Sequence, residues 1–100
     1  MLFRSHRDGM EDAYIATLER LSQLDPGNRA RYDLELGTLY YDKGKFEEAE
    51  ASLLNAMKGA PNNAALWFRL GETQVKLRKE KEAVDKFQRA YQIKIGRAHV

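Results

Sequence analysis

Residues 30–63, ARYDLELGTLYYDKGKFEEAEASLLNAMKGAPNN, and residues 64–94, AALWFRLGETQVKLRKEKEAVDKFQRAYQIK, coincide when one is slid 34 positions onto the other. Leu36 falls on Leu70, Gly37 on Gly71, Glu48 on Glu82, Ala49 on Ala83 and Ala56 on Ala90, while Leu53 falls on Phe87. A fixed period of this length marks stacked supersecondary units that bury a continuous core between neighbours. Small residues recur where two helix backbones must approach closely, and large residues recur where the space between them must be filled. A bulky side chain at Ala49 or Ala83 is therefore expected to overpack, so Ala83→Trp should lower the melting temperature markedly, at a cost of about 1–3 kcal/mol.

Each unit reads as two helices. In the first, Leu36, Leu39, Tyr40 and Lys43 follow helical spacing, and Gly44 supplies a left-handed stop. Phe46, Ala49, Leu53, Leu54, Ala56 and Met57 form a second amphipathic run that ends near Gly59 and Pro61. In the next unit Asn62 or Asn63 is placed to cap a helix. Trp67, Leu70, Val75 and Leu77 lie on that helix, and Ala83, Val84, Phe87, Ala90 and Tyr91 lie on the one after it. Upstream, Tyr14, Leu18, Leu21 and Leu24 describe a lone helix before Asp25-Pro26, so residues 6–28 read as the second half of a truncated repeat. Pro26 stands 35 residues before Pro61, which places one extra residue in that first connection.

The pattern resembles the tetratricopeptide repeat family, whose helix pair carries a tryptophan, a Leu-Gly, a tyrosine, a spaced alanine and aromatic, and a closing proline. The second unit shows Trp67, Leu70, Gly71, Ala83, Phe87 and Ala90, and the first shows Leu36, Gly37, Tyr40, Gly44, Ala49, Ala56 and Pro61. Three positions depart from it: Asp33 stands for the tryptophan, Gln74 for the tyrosine and Arg78 for the helix-ending glycine. The resemblance implies an all-α fold, a right-handed superhelix of antiparallel helix pairs, with repeats at 30–63 and 64–94. It also implies that first helices line a concave groove that holds a peptide or a partner protein.

The residues themselves point the same way. The face of each first helix opposite its core should be polar if it met only water. Instead Leu34, Thr38 and Tyr41 line up, with Arg31 and Asp42 at the edge, and Phe68, Glu72 and Val75 repeat the arrangement, flanked by Ala65 and Lys76. An apolar groove built on Leu34, Tyr41, Phe68 and Val75 is the leading expectation. The competing one is that neighbouring first helices pack along this stripe and bury it among themselves. Some family members grip a C-terminal carboxylate with Lys and Asn on these helices; Leu34 and Thr38 occupy those places here, and Arg69 stands where the following repeat would need Asn, which argues against that activity.

Nothing in the sequence assembles a catalytic site. Cysteine is absent, and His6 and His99 are the only histidines, so no metal-ligand spacing is present and no cofactor is expected. Asp12, Glu19, Glu47, Glu48 and Glu50 are spaced as solvent-face charges. No apolar run approaches the roughly 18 residues of a membrane span. Residues 30–63 carry 4 basic and 6 acidic groups and residues 64–94 carry 8 and 4, but the basic run Lys76 to Lys81 reads as a solvated turn. The interleaved aromatics of a nucleic-acid binder are missing, so no nucleic-acid partner is expected.

The termini share no pattern with the interior. Leu2-Phe3-Arg4-Ser5 can be encoded CTC TTC CGA TCT, whose reverse complement contains ATC GGA AGA, and its extension ATC GGA AGA GCA CAC GTC encodes Ile95 to Val100. That string resembles a common short-read sequencing adapter, so residues 1–5 and 95–100 are expected to be non-native translated adapter, and both natural termini to be missing. Without Arg4 and Arg97 the remaining 15 basic and 15 acidic residues cancel. The expected function is a protein-interaction scaffold, a non-enzymatic fragment of a larger protein; the alternative is a docking or regulatory repeat region of a larger multidomain enzyme. The compartment stays open between cytoplasm and periplasm. Exposed ends of such a fragment are expected to allow non-native self-association.

Overall fold

The computed structural model describes residues 2–98, with the side chains of residues 9–96. Among the described residues five α-helices follow one another: α1 (Leu2–Leu24), α2 (Arg29–Asp42), α3 (Phe46–Gly59), α4 (Ala64–Lys76) and α5 (Glu80–Ala98), with a 3-10 turn, Pro26–Asn28, between the first two. There is no strand among the described residues. Each helix packs on the next in sequence, most closely within the pairs α2–α3 and α4–α5. The stack is elongated, 49 × 32 × 21 Å.

The small residues do what the repeat requires of them. Ala49, Ala56, Ala83 and Ala90 are buried, and Leu53 lies fully buried over Gly37. A Cβ added to Gly37 would sit 2.5 Å from Cγ of Leu53, and one added to Gly71 would sit 2.7 Å from the ring edge of Phe87. Only a missing side chain allows such approach. Between the pairs, Leu66 and Thr73 of α4 are buried with Leu70, and the Thr73 hydroxyl donates to the Arg69 carbonyl at 2.9 Å.

Both pairs turn the same corner with different residues. Gly44 has φ +81°, and its neighbour Lys45 donates its N–H to the Tyr40 carbonyl at 2.8 Å. Arg78 has φ +64°, and Lys79 donates to the Gln74 carbonyl at 2.8 Å. The same left-handed helix stop is built once on glycine and once on arginine.

α1 turns only part of its apolar residues inward. Ile15, Leu18 and Ser22 are buried, whereas Tyr14 and Leu24 are exposed. The reason is register: Ile15 stands 34 residues before Ala49, and Ser22 stands 34 before Ala56, so α1 presents the same face as α3 and α5. The connection gains no residue, since Ser22 to Leu36 and Ala56 to Leu70 each span 14 positions; only the proline stands one place earlier in the first. α1 reaches back to Leu2, residues 26–28 form a 3-10 turn and α5 runs on past residue 94. His6 and His99 lie outside the residues whose side chains are described.

Candidate functional site

α4 displays the site most openly. Its buried face carries Leu66, Leu70, Gly71, Thr73 and Gln74. Asn63 starts the helix, its side-chain oxygen accepting the N–H groups of Ala65 at 3.1 Å and Leu66 at 3.4 Å. With that face turned inward, Phe68 and Val75, seven residues apart, point outward and remain 51% and 45% exposed. Ala65 and Lys76 are also exposed, and Glu72 is half-buried.

On α2 the corresponding residues are less free. Leu34, Thr38 and Tyr41 are half-buried, while Arg31 and Asp42 are exposed. Arg31 and Leu34 line a hollow of about 290 Å³ with Ala30, Ala60, Asn63 and Leu66, so Leu34 sits at the seam where α4 begins. The Thr38 hydroxyl is spent on the Leu34 carbonyl at 3.1 Å. Tyr41 meets Phe46 edge to face, with ring centroids 5.3 Å apart.

Arg69 ties the two units together, a role its sequence position did not signal. Its guanidinium lies 6.0 Å from the centre of the Tyr41 ring and 3.3 Å from a Glu72 carboxylate oxygen. Tyr41 and Glu72, placed in separate units by the sequence, are thus joined by one cation. Phe68 likewise leans on Phe87, 5.4 Å between centroids, beside an open cleft of about 600 Å³ bordered by Ala64, Ala90, Tyr91 and Lys94. Val75 and Lys76 stand apart from both groups, at the far end of α4.

The titratable groups are used to hold helices in place. Lys43 reaches Asp12 at 2.8 Å and keeps that carboxyl below its ordinary range. Burial, reinforced by the hydrogen bond to Glu19, pushes the Tyr40 phenol up to about 12. Tyr14 donates to Glu35, and that carboxylate raises its phenol as well. At the next seam Glu50 accepts from Gln74 at 3.2 Å and from Lys79 at 2.9 Å, which holds the ammonium of Lys79 above its usual range. Asp33 is buried, and burial raises its carboxyl despite Arg29, whose Nε lies 3.4 Å away. Among the described residues, no group of three or more His, Asp or Glu is placed to hold a metal ion. No described helix is long and apolar enough to cross a membrane.

The paired helices, the glycines under Leu53 and Phe87, and the 34-residue register agree with a family model described as tetratricopeptide repeat, which matches residues 34–98. The chain belongs to the tetratricopeptide repeat family. Peroxisomal targeting signal receptors are among its relatives: that of Saccharomyces cerevisiae is 30% identical over 81 residues and that of Candida glabrata 28% over 85. These matches cover 81% and 85% of this chain but only 13% and 14% of the receptors. Two structures of MamA share the fold, with TM-scores of 0.84 and 0.78 at 21% and 20% identity. They cover 91% and 88% of this chain, which spans 53% and 50% of theirs. As a chain of this family's repeats it is a protein-interaction scaffold.

Proposed function

We propose that the scaffold holds a peptide or partner protein along the outward faces of α2 and α4, on Leu34, Tyr41, Phe68 and Val75, with Arg31, Thr38, Asp42, Ala65, Glu72 and Lys76 around them. The observation that carries this reading is the pair Phe68 and Val75, two apolar side chains about half exposed on a helix whose other face is fully committed to the core. Large apolar groups left in water on a rigid element are what a recognition surface offers. That the relatives are named targeting signal receptors supports a peptide as the occupant. The reading needs no catalysis and no cofactor.

The test selects peptides from a displayed random library on the whole chain and measures them by fluorescence anisotropy. The Tyr41→Ala/Phe68→Ala variant should weaken binding at least tenfold while circular dichroism keeps its helical signal. Unchanged affinity would remove the groove, and loss of helicity would mean that the stripe belongs to the core.

We further propose that residues 30–63 and 64–94 act as repeats, with 6–28 as the second helix of another, inside a longer polypeptide that is a scaffold or, alternatively, an enzyme carrying a docking region. Sequencing the encoding DNA across both ends tests this. CTCTTCCGATCT at the start and AGATCGGAAGAGCACACGTC at the end would mark residues 1–5 and 95–100 as adapter; other codons would return those residues to the protein.

A further inference from the structure

The indole of Trp67 marks a place that the earlier unit leaves open. Trp67 donates its N–H to the Pro61 carbonyl at 2.6 Å, and its ring centre lies 5.9 Å from the guanidinium carbon of Arg89 in α5. The residues 34 positions before Trp67, Pro61 and Arg89 are Asp33, Gly27 and Asn55. A ring and a guanidinium have both given way to short side chains. In their stead α2 and α3 enclose a hollow of about 370 Å³, bordered by Gly27, Arg29, Ala30, Asn55, Lys58 and Gly59. A Cβ added to Gly59 would sit 2.9 Å from Cβ of Ala30, so the two helices touch there and close one end of the hollow.

Asp33 stands beside this space with an unused acceptor. Side chains on a helix lean toward its N-terminus, so the carboxyl of Asp33 lies over the turn that carries Arg29 and Ala30. The residue is 4% exposed, and its Oδ2 accepts no hydrogen bond, although Arg29 Nε stands 3.4 Å away. A buried acceptor without a donor is costly, and a ligand that brings a donor recovers the cost. The rim carries the opposite charge. The Arg29 side chain is half exposed, and Lys58 is exposed and makes no ion pair among the described residues.

We propose that this hollow binds a small indole-type carboxylate. Its planar ring sits where the next unit keeps the ring of Trp67, its ring N–H donates to the Asp33 carboxylate, and its own carboxylate lies on Arg29 and Lys58. Arg29 exchanges one carboxylate for another, so no charge is left without a partner. The rim selects a free ligand over a tryptophan inside a partner chain, because only the free ligand brings an anion next to its ring. None of the residues bordering the hollow belongs to the proposed peptide groove, so failure here would leave that reading untouched.

Amide NMR shifts of the whole chain titrated with indoleacetate test it. The expected result is saturable movement at Gly27, Ala30, Asn55 and Gly59 with a dissociation constant of about 1 mM, while Ala64 and Arg89, beside the Trp67 ring, stay still. The N-methyl derivative of the probe has no ring donor and should bind about tenfold more weakly. In Asp33→Ala the two probes should bind alike. Asp33→Trp supplies the ring from the chain itself and should abolish binding. Where that variant loses structure, Lys58→Glu decides: this exposed change should weaken indoleacetate about threefold and leave neutral indole unaffected. No movement at these amides up to about 10 mM, equal affinity for the methylated probe, or binding that persists in a folded Asp33→Trp chain would overturn the proposal. So would tighter binding of N-acetyltryptophanamide, which would assign the hollow to a partner's tryptophan.

Discussion

Leu53 in α3 and Phe87 in α5 hold the same place in their pairs, each lying over a glycine of the facing helix, yet they differ in freedom. Leu53 is fully buried, with α4 laid over its helix. Phe87 is only half-buried and opens onto the cleft beside Tyr91. The difference teaches that repeat position sets which residues touch, while the neighbour sets how tightly they are held. Gly37→Ala and Gly71→Ala should expose it most strongly. At Gly37 the new methyl meets Cγ of Leu53, close to the backbone and enclosed, so the helix must shift, at about 2–3 kcal/mol. At Gly71 it meets a ring edge that can swing into the open cleft, and alanine's better helix propensity offsets part of the cost, leaving about 1 kcal/mol. Thermal melts of the two variants should therefore differ by several degrees; equal losses would mean that Phe87 is as confined as Leu53.

Asp33 and Trp67 widen the contrast. Trp67 donates its indole N–H to the Pro61 carbonyl at 2.6 Å and pins the turn before α4. Asp33 stands at the matching place and pins nothing; the earlier turn is held instead by Tyr32, whose hydroxyl donates to Asp25 at 3.0 Å. Burial raises the Asp33 carboxyl above its unfolded value, so folding favours the protonated form. Its favourable share of stability is full below the unfolded value and is lost as pH rises through the folded one. Asp33→Asn should accordingly raise stability at pH 7, by about 1 kcal/mol, and the gain should shrink toward pH 4. A gain that grows on acidification would show that the Arg29 pair outweighs the cost of burial.

The two helix stops come next in size. Gly44→Ala places a Cβ in left-handed backbone and should cost about 1 kcal/mol. Arg78→Gly relieves that same strain in the other pair and should stabilise by up to about 1 kcal/mol, less the entropy glycine restores to the unfolded chain. Opposite signs in urea midpoints are expected. If both variants lose stability, the Arg78 side chain contributes something that its backbone conformation hides.

Much of this is legible in the sequence. The small residues at 37, 49, 56, 71, 83 and 90 announce themselves because close helix approach tolerates nothing larger, and the spacing repeats. Less legible was the rotation of α1. Its apolar residues suit two adjacent stripes, and only the packing against α2 selects Ile15, Leu18 and Ser22 over Tyr14 and Leu24. The seam residues Leu66 and Thr73 are not legible within one unit, because they face the previous pair and no single helix reveals that face. The sequence position of Arg69 does not carry its role, which lies in reaching Tyr41 and Glu72 at once. Contacts between units depend on stacking geometry, which the pattern within one unit does not carry.

Two asparagines give the smallest and sharpest comparison. Asn63 precedes α4, and its side-chain oxygen satisfies two N–H groups that would otherwise face water at a helix start. Asn28 precedes α2 in the matching role but makes no such bond; its amide donates to Asp25 Oδ2 at 3.0 Å, within the 3-10 turn. Truncation should reflect this division of labour. Asn63→Ala should cost about 1 kcal/mol and fray the start of α4, where Leu66 is fully buried. Asn28→Ala should cost only a few tenths, because one exposed hydrogen bond is exchanged for solvent. Amide exchange separates the cases more cleanly than a melt does. Protection should fall at Ala65 and Leu66 in Asn63→Ala, and the first turn of α2 should exchange as before in Asn28→Ala. Equal loss at both helix starts would mean that the turn around Asp25, rather than the capping oxygen, governs how a pair is entered.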